Sequence, residues 1–105
     1  MTFGYKLARA AKRDLQEISD YWVVQAGEVV ALRIVTGILE TIITLSSQPK
    51  AGARAEQFGG SVRKFAAGKY IIYYRLRRTG AFEVLHVFHG VREQEKAWLG
   101  KAKPR

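Results

Sequence analysis

The sequence predicts a single domain of the α+β class, in which a two-helix hairpin packs on an antiparallel β-sheet. Three observations lead to this fold. The chain has 105 residues, the length of one compact domain. Apolar residues recur with helical spacing up to about residue 48, and from residue 61 they alternate as in β-strands. Helices followed by a run of strands are typical of α+β domains, so we expect residues 1–105 to form one such domain.

A short strand is predicted at the N-terminus, over residues 2–7. Phe3, Tyr5 and Leu7 alternate there with small or polar residues, which is the pattern of a half-buried strand. We expect this strand to join the sheet at an edge or beside one of the later strands.

The first helix is predicted where the apolar period changes from two to between three and four. Its apolar face consists of residues spaced four, three and four apart: Ala11, Leu15, Ile18 and Trp22. Gly27 follows this pattern and predicts the end of the helix.

A second helix follows, with apolar residues at four, three, four and three: Ala31, Val35, Ile38, Ile42 and Leu45. Leu32, Leu39 and Ile43 widen this stripe to more than half of the helix surface. We therefore expect the helix to pack against both the first helix and the sheet. Pro49 ends it, because the residue before a proline avoids helical backbone angles.

After a loop at residues 50–60, a three-stranded meander is predicted. Its strands are Val62–Ala66, Tyr70–Arg77 and Ala81–His89, with turns at Gly68 and at residues 78–80. In the central strand, alternation separates one face with Tyr70, Ile72, Tyr74 and Leu76 from another with Ile71, Tyr73, Arg75 and Arg77. Val91–Leu99 is predicted as a short C-terminal helix and residues 100–105 as a flexible basic tail.

The composition excludes several classes of protein. Without cysteine the chain has no disulfide framework and no thiolate zinc site, and a reducing cytoplasm is the expected location. The most apolar stretch, Val29–Leu45, is interrupted by Arg33 and Glu40, so we expect no membrane span. No phosphate-binding loop and no serine nucleophile motif is present, and we expect neither a metal nor another cofactor.

Positive charge is concentrated in the second half of the chain. Residues 1–50 contain six basic and five acidic side chains, whereas residues 51–105 contain twelve basic and four acidic ones. This asymmetry favours one surface for an anionic partner. The alternative is that the charge only keeps a small domain soluble.

The two histidines and one acidic cluster are weak candidates for chemistry. His86 and His89 are three apart on one strand, so they point to opposite faces and cannot bind one metal without further ligands. His86 is expected to be structural, whereas His89 can shape the basic surface at the strand end. Asp14, Glu17 and Asp20 have helical spacing, and their basic neighbours favour a solvated helix surface.

Arginines of the sheet are the stronger candidates. Arg75 and Arg77 share one strand face by alternation, and pairing of neighbouring strands is expected to bring Arg63 alongside. Arg92 follows the last strand. Arginine in fixed strand positions suits bidentate contact with phosphate or carboxylate. The alternative is that these charges protect a sheet edge from aggregation.

Several short motifs together resemble the ParE branch of the RelE/ParE toxin superfamily. They are Ala11–Tyr21 (AKRDLQEISDY), Gln48-Pro49, Ser61-Val62-Arg63, Tyr70–Arg75 (YIIYYR) and His89–Arg92 (HGVR). The resemblance implies the toxin of a type II toxin–antitoxin pair, neutralised by a ParD-like antitoxin. It further implies that the toxin acts on DNA gyrase, whereas RelE-type relatives cut messenger RNA on the ribosome.

The residues argue against the ribonuclease alternative. The positions that match the RelE-type catalytic set are Ser61, Arg63, Tyr70, Arg92 and Trp98. Two arginines stabilise charge, but cleavage by a 2′-hydroxyl also needs a proton acceptor and a donor. We therefore predict a toxin that acts by binding and is not an enzyme.

The resemblance and the charge pattern together suggest two sets of binding residues. The candidates for the target are Arg63, Arg75, Arg77 and Arg92, with His89 and Trp98 nearby. The candidates for the antitoxin are Tyr21, Trp22, Leu32 and Leu39 on the helices. A remaining alternative is a nucleic-acid-binding module without toxic action, in which Tyr70, Tyr73 and Tyr74 stack on single-stranded bases.

Overall fold

The structure is a computed structural model that describes residues 4–90. Two helices are followed by a meander, and all strands belong to one sheet. The elements are β1 (Lys6–Leu7), α1 (Arg9–Ala26), α2 (Glu28–Ser47), β2 (Ala53–Arg54), β3 (Val62–Ala67), β4 (Tyr70–Leu76) and β5 (Phe82–His89), with a 3-10 helix at Glu56–Phe58. The predicted helix at Val91–Leu99 and the predicted tail at 100–105 lie outside the described residues.

The five strands have the order β1-β5-β4-β3-β2. The meander is antiparallel, as predicted, but β1 pairs with β5 in parallel and makes the sheet mixed. No hairpin turn joins β1 to β5, so no turn imposes an antiparallel direction on this pair. The position of β1 at an edge agrees with the prediction, but within the described residues the strand covers only Lys6–Leu7 of the predicted residues 2–7.

One glycine joins the two helices. Gly27 has φ of 93°, a backbone angle that residues with a side chain rarely adopt. Its N–H donates to the carbonyl of Val23 in α1, and its carbonyl accepts from the N–H of Ala31 in α2. The same residue therefore ends the first helix and begins the second, which fixes the hairpin.

The core lies between the helical hairpin and one face of the sheet. Ala11, Leu15 and Ile18 of α1 and Ile38, Ile42 and Leu45 of α2 are buried there, as the helical spacing predicted. The sheet contributes alternate residues of β4 and three residues of β5: Tyr70, Ile72, Tyr74, Phe82, Val84 and Val87. The predicted division of β4 into two faces is thus confirmed.

Two local features of the sheet are missing from the sequence prediction. The loop at 50–60 contains β2, which pairs with β3 through Ala53 and Arg54. A bulge in β5 leaves Leu85 without a register partner, since Tyr73 pairs with His86 and Tyr74 with Val84. Two residues are too few for a periodic pattern, which is why β2 could not be read from the sequence.

Candidate functional site

The β3–β4 turn decides which arginines share a face. The turn consists of two residues, Gly68 and Lys69, and Gly68 has φ of 62°. With a two-residue turn, an odd-numbered residue of β3 pairs with an even-numbered residue of β4, so Arg63 pairs with Tyr74. The expectation that Arg63 lies beside Arg75 and Arg77 is therefore wrong. Arg63 is on the helix-side face, and Val62 is opposite Arg75.

Arg63 holds the loop that follows α2. Its guanidinium donates to the carbonyl of Gly52 at 2.8 Å and to that of Lys50 at 3.4 Å. The buried hydroxyl of Tyr74 donates to the carbonyl of Pro49 at 2.7 Å and accepts from the N–H of Gly52 at 2.9 Å. Arg63 and Tyr74, which the sequence analysis considers as binding residues, therefore hold this loop in place.

Gly52 is required for this arrangement because the loop backbone lies directly against Tyr74. A Cβ atom at position 52 would lie within contact distance of the Tyr74 hydroxyl and 2.7 Å from the carbonyl oxygen of Lys64. Burial raises the pKa of Tyr74, although the Gly52 hydrogen bond and the Arg63 charge lower it. The hydroxyl therefore stays protonated and remains a donor to Pro49.

On the other face of the sheet, Arg75 and Arg77 converge on one carboxylate. The Nε atoms of Arg75 and Arg77 lie 3.0 Å and 3.1 Å from Oε1 of Glu83, whose side chain is 9% exposed. The two arginine side chains remain 36% and 46% exposed. Glu83 thus orients both guanidinium groups and neutralises one of the two positive charges.

Replacing Glu83 with glutamine is expected to destabilise the fold in a pH-dependent way. Burial raises the pKa of Glu83, but the Arg75 hydrogen bond and the charges of Arg77 and Arg75 outweigh it and lower the pKa. The stabilisation is therefore complete above the unfolded-state pKa and is lost as the pH falls through the lower folded-state value. At pH 7, Glu83→Gln should cost about 1–2 kcal/mol.

Urea unfolding of both proteins at several pH values measures this effect. The difference between wild type and Glu83→Gln should shrink as the pH falls below about 4.3, the ordinary glutamate value. A difference that stays constant across that range would show that the ion pairs do not stabilise the fold.

A groove lies between α1 and the end of the sheet at β4 and β5. It has a volume of ≈ 510 Å³ and is lined by side chains that include Ile18, Tyr21, Trp22, Lys69, Tyr70 and His89. The Trp22 indole N–H donates to the Tyr70 hydroxyl at 2.8 Å, and the Tyr70 and His89 rings are in edge contact. These contacts fix an aromatic floor, and the groove is partly apolar with acidic and basic groups at its rim.

A second groove adjoins the first on the α2 side. Its volume is ≈ 400 Å³, and it lies between α2 and the β3–β4 turn. Trp22 and Tyr70 line both grooves, so their hydrogen bond forms the ridge between them.

Asp14 connects α1 to the outer edge of β5. Its Oδ2 accepts from the Val87 N–H at 2.9 Å and lies 2.8 Å from Nδ1 of His86. β1 is too short to cover this edge, so a side chain supplies the missing acceptor. The expectation of a solvated surface is wrong for Asp14, and the structural role of His86 agrees with the prediction. His86 and His89 do point to opposite faces.

The structure separates the four candidate antitoxin residues. Tyr21, which is 55% exposed, and the half-buried Trp22 line the first groove. Leu32 is 68% exposed on the outer side of α2, and Leu39 packs partly against the core. Leu32 and Leu39 line neither groove, so the four residues do not share one groove.

Three tyrosines of the sheet do not fit the single-strand-binding alternative. Tyr73 and Tyr74 are fully buried, and Tyr70 is 7% exposed. Stacking on bases needs an accessible ring face, which these residues lack.

Among residues 4–90, no group of three potential metal ligands occurs. The candidates Arg92 and Trp98 lie outside the described residues.

Comparisons with known proteins agree with one another. The profile of the family described as "ParE toxin of type II toxin-antitoxin system, parDE" matches residues 5–94. A curated relative, Toxin ParE1 of Mycobacterium tuberculosis, is 27% identical over 89 residues, covering 85% of this chain and 91% of the relative. Toxin ParE1 of Caulobacter vibrioides is 30% identical over 83 residues, covering 78% and 86%.

A solved structure has the same fold. It is a chain described as "Chromosomal ParDE TA system from P. aeruginosa", with a TM-score of 0.72 and 25% identity. The match covers 83% of this chain and 95% of that chain.

Proposed function

The chain belongs to the ParE toxin family of type II toxin–antitoxin systems, and from this premise we propose that it inhibits DNA gyrase by binding and is neutralised by a ParD-like antitoxin. Both events would take place in the cytoplasm. The toxin makes and breaks no covalent bond in this mechanism, and it needs no cofactor.

The observation that carries the binding mechanism is the use of Arg63 and Tyr70 within the fold. Both match positions of the RelE-type catalytic set. Arg63 is bonded to loop carbonyls, and the Tyr70 hydroxyl accepts from Trp22 in the floor of a groove. Both groups therefore take part in contacts that stabilise the fold, which favours a structural role over catalysis and supports a toxin that acts by binding.

Arg75 and Arg77 are the better candidates for contact with the target. Glu83 accepts from the Nε atom of each guanidinium, which leaves their terminal nitrogens to donate to another group. Fixed guanidinium groups lose little entropy on binding a carboxylate or a phosphate. The expectation that His89 lies near these arginines is wrong, because it pairs with Tyr70 on the helix-side face at the other end of β4. Arg92 and Trp98, outside the described residues, remain candidates.

Purified toxin in gyrase supercoiling and DNA-cleavage assays tests the proposal. We expect inhibition of supercoiling together with accumulation of cleaved DNA, because a bound toxin that holds the cleaved state prevents religation. Unaltered supercoiling at a large molar excess of toxin would reject gyrase as the target. Cleavage of ribosome-bound messenger RNA in a parallel assay would instead favour the RelE-type activity.

For the antitoxin, the first groove is the more suitable of the available surfaces. A helix or an extended segment with apolar side chains can fill its aromatic floor, and acidic residues beside them can meet Lys69. Tyr21 is accessible at the rim, whereas Trp22 is held by Tyr70. We therefore expect Tyr21 and Trp22 to contact the antitoxin, with Leu32 and Leu39 as separate candidates on α2.

Changing Tyr21 to glutamate should weaken antitoxin binding by more than about 1 kcal/mol. The substitution removes an exposed ring and adds a negative charge close to Glu17 at the same rim. Isothermal titration calorimetry of the cognate antitoxin with each toxin variant measures the change.

The matched control is Val24→Glu, which adds the same charge at a position that is 80% exposed and lines neither groove. Equal affinities of the Tyr21→Glu and Val24→Glu variants would remove the groove from the proposed interface. A loss in Leu32→Glu alone would place the contact on α2.

A further inference from the structure

The outer side of α2 carries an apolar stripe that the core does not use. Val29, Leu32, Thr36, Leu39 and Ile43 are spaced three, four, three and four apart, which is the spacing of the packing positions in a coiled coil. Val29, Leu32 and Ile43 are 70%, 68% and 51% exposed. Leu39 lies at the boundary with the core. A stripe of this kind favours a second helix as its occupant.

By length and composition alone, α2 is apolar enough to cross a membrane. One part of the apolar surface of α2 is buried against α1 and the sheet, and it consists of Ala31, Ile38, Ile42 and Leu45. The exposed stripe is the other part of this apolar surface. A lipid environment does not suit that side well, since Arg33 and Glu40 are both charged residues beside the stripe.

The two charges make the stripe complementary to itself. Arg33 and Glu40 are seven residues apart and so flank the stripe on the same side. In an antiparallel pair of helices related by a two-fold axis near Thr36, Arg33 of each copy meets Glu40 of the other. The same arrangement places Val29 of one copy near Ile43 of the second. An isologous contact of this kind closes as a dimer.

The charge distribution favours a second copy over an acidic partner. α2 contains only Glu28, Arg33 and Glu40 as charged residues, whereas residues 51–105 carry twelve basic and four acidic side chains. Two chains can therefore meet through α2 with little repulsion between the charges of the helices themselves. An acidic partner gains more by binding the basic half.

We propose that two copies of this chain associate through an antiparallel contact of their α2 helices. α2 has 20 residues and a helix of that length spans roughly 30 Å. With three exposed apolar side chains per copy, the contact gives a weak dimer with a Kd on the order of 10 µM. The dimer leaves the first groove of each copy accessible, whereas Arg33 borders the second, so antitoxin binding in the first groove and self-association use different surfaces. The proposal is independent of gyrase as the target.

Sedimentation equilibrium of the full chain, from about 1 to about 200 µM, tests the proposal. Leu32→Glu should raise the dimer Kd at least about tenfold, because it places two negative charges in the apolar contact. Arg33→Glu and Glu40→Arg should each weaken the dimer, and the double exchange should restore the Kd to within about twofold. Val24→Glu is the control that changes an exposed valine outside the stripe. Circular dichroism verifies that all the variants fold.

A chain that stays monomeric at the highest concentration would overturn the proposal. So would a dimer that is insensitive to Leu32→Glu or that the double charge exchange fails to restore. Antitoxin titrations at nanomolar toxin, far below the dimer Kd, test whether the antitoxin, and not a second copy of the chain, occupies the stripe. Loss of antitoxin affinity in Leu32→Glu there would assign the stripe to the antitoxin, and Leu32-dependent binding of the monomer to anionic lipid vesicles would assign it to a membrane. Either result would reject the dimer.

Discussion

Replacing Gly52 with alanine should lower the free energy of unfolding by about 3 kcal/mol, the upper end of the usual range for overpacking a filled site. The added methyl group meets the buried Tyr74 hydroxyl and the Lys64 carbonyl oxygen, which lies 2.7 Å from the Cβ position. The hydroxyl cannot move away without losing its bonds to Pro49 and Gly52. The loop that links α2 to the sheet therefore has to shift. Urea or thermal unfolding measures the loss.

Gly37→Ala is the matched control, because a Cβ atom at that helical position meets no atom within 4 Å apart from its chain neighbours and the backbone of its own helix. It should stabilise the fold by roughly 0.5–1 kcal/mol through the higher helix propensity of alanine. A double-mutant cycle with Tyr74→Phe adds a second test. Gly52→Ala should cost less in the Tyr74→Phe variant than in wild type, since the nearest clashing atom is gone. Equal costs in both backgrounds would show that the Tyr74 hydroxyl does not constrain position 52.

Removing both Arg75 and Arg77 should raise the toxin concentration for half-maximal gyrase inhibition at least about tenfold, if each guanidinium makes one charge-assisted contact of about 1.5–3 kcal/mol. The variant should also carry Glu83→Gln, because an unpaired buried carboxylate would destabilise the fold by itself. The triple variant Arg75→Gln, Arg77→Gln, Glu83→Gln is compared with wild type in the supercoiling assay. Its unfolding is monitored in parallel.

Two controls separate a specific contact from a general effect of charge. Glu83→Gln alone retains both arginines and should lose much less potency than the triple variant, because the glutamine carbonyl can still accept a hydrogen bond from a guanidinium. Arg78→Gln removes one exposed charge from the neighbouring turn and should have little effect. Full potency of the triple variant would eliminate this face as the contact surface. Equal losses in the triple variant and in Arg78→Gln would point to long-range attraction only.

The helices and the meander could be predicted because their sequence patterns are long. Ala11, Leu15 and Ile18 of α1 and Ile38 and Ile42 of α2 repeat over several turns, and each is buried where the period places it. Gly27 and Pro49 mark ends that backbone geometry requires. The alternation of Tyr70 to Leu76 likewise fixes both faces of β4 before any partner strand is known.

The site was harder to predict because its contacts join distant parts of the chain. Asp14 looks like one of several charged residues on a helix, and nothing near it in the sequence indicates the edge of β5, 73 residues away at Val87. Glu83 likewise precedes no motif, although it lies within hydrogen-bond distance of two arginines. For Arg63 the signal was present. A two-residue turn at Gly68 already implies that Arg63 and Arg75 lie on opposite faces.

The pairing of β1 with β5 has a consequence for the synthesis of this protein. β1 is synthesised first but pairs with β5, the last described strand. Asp14 likewise cannot accept its hydrogen bond until Val87 has been synthesised. On a translating ribosome the helical hairpin therefore emerges long before the sheet that covers it. A messenger RNA cleaved upstream of the β5 codons would yield two amphipathic helices without a core. Such a fragment would be degraded by proteases and would not act as a toxin.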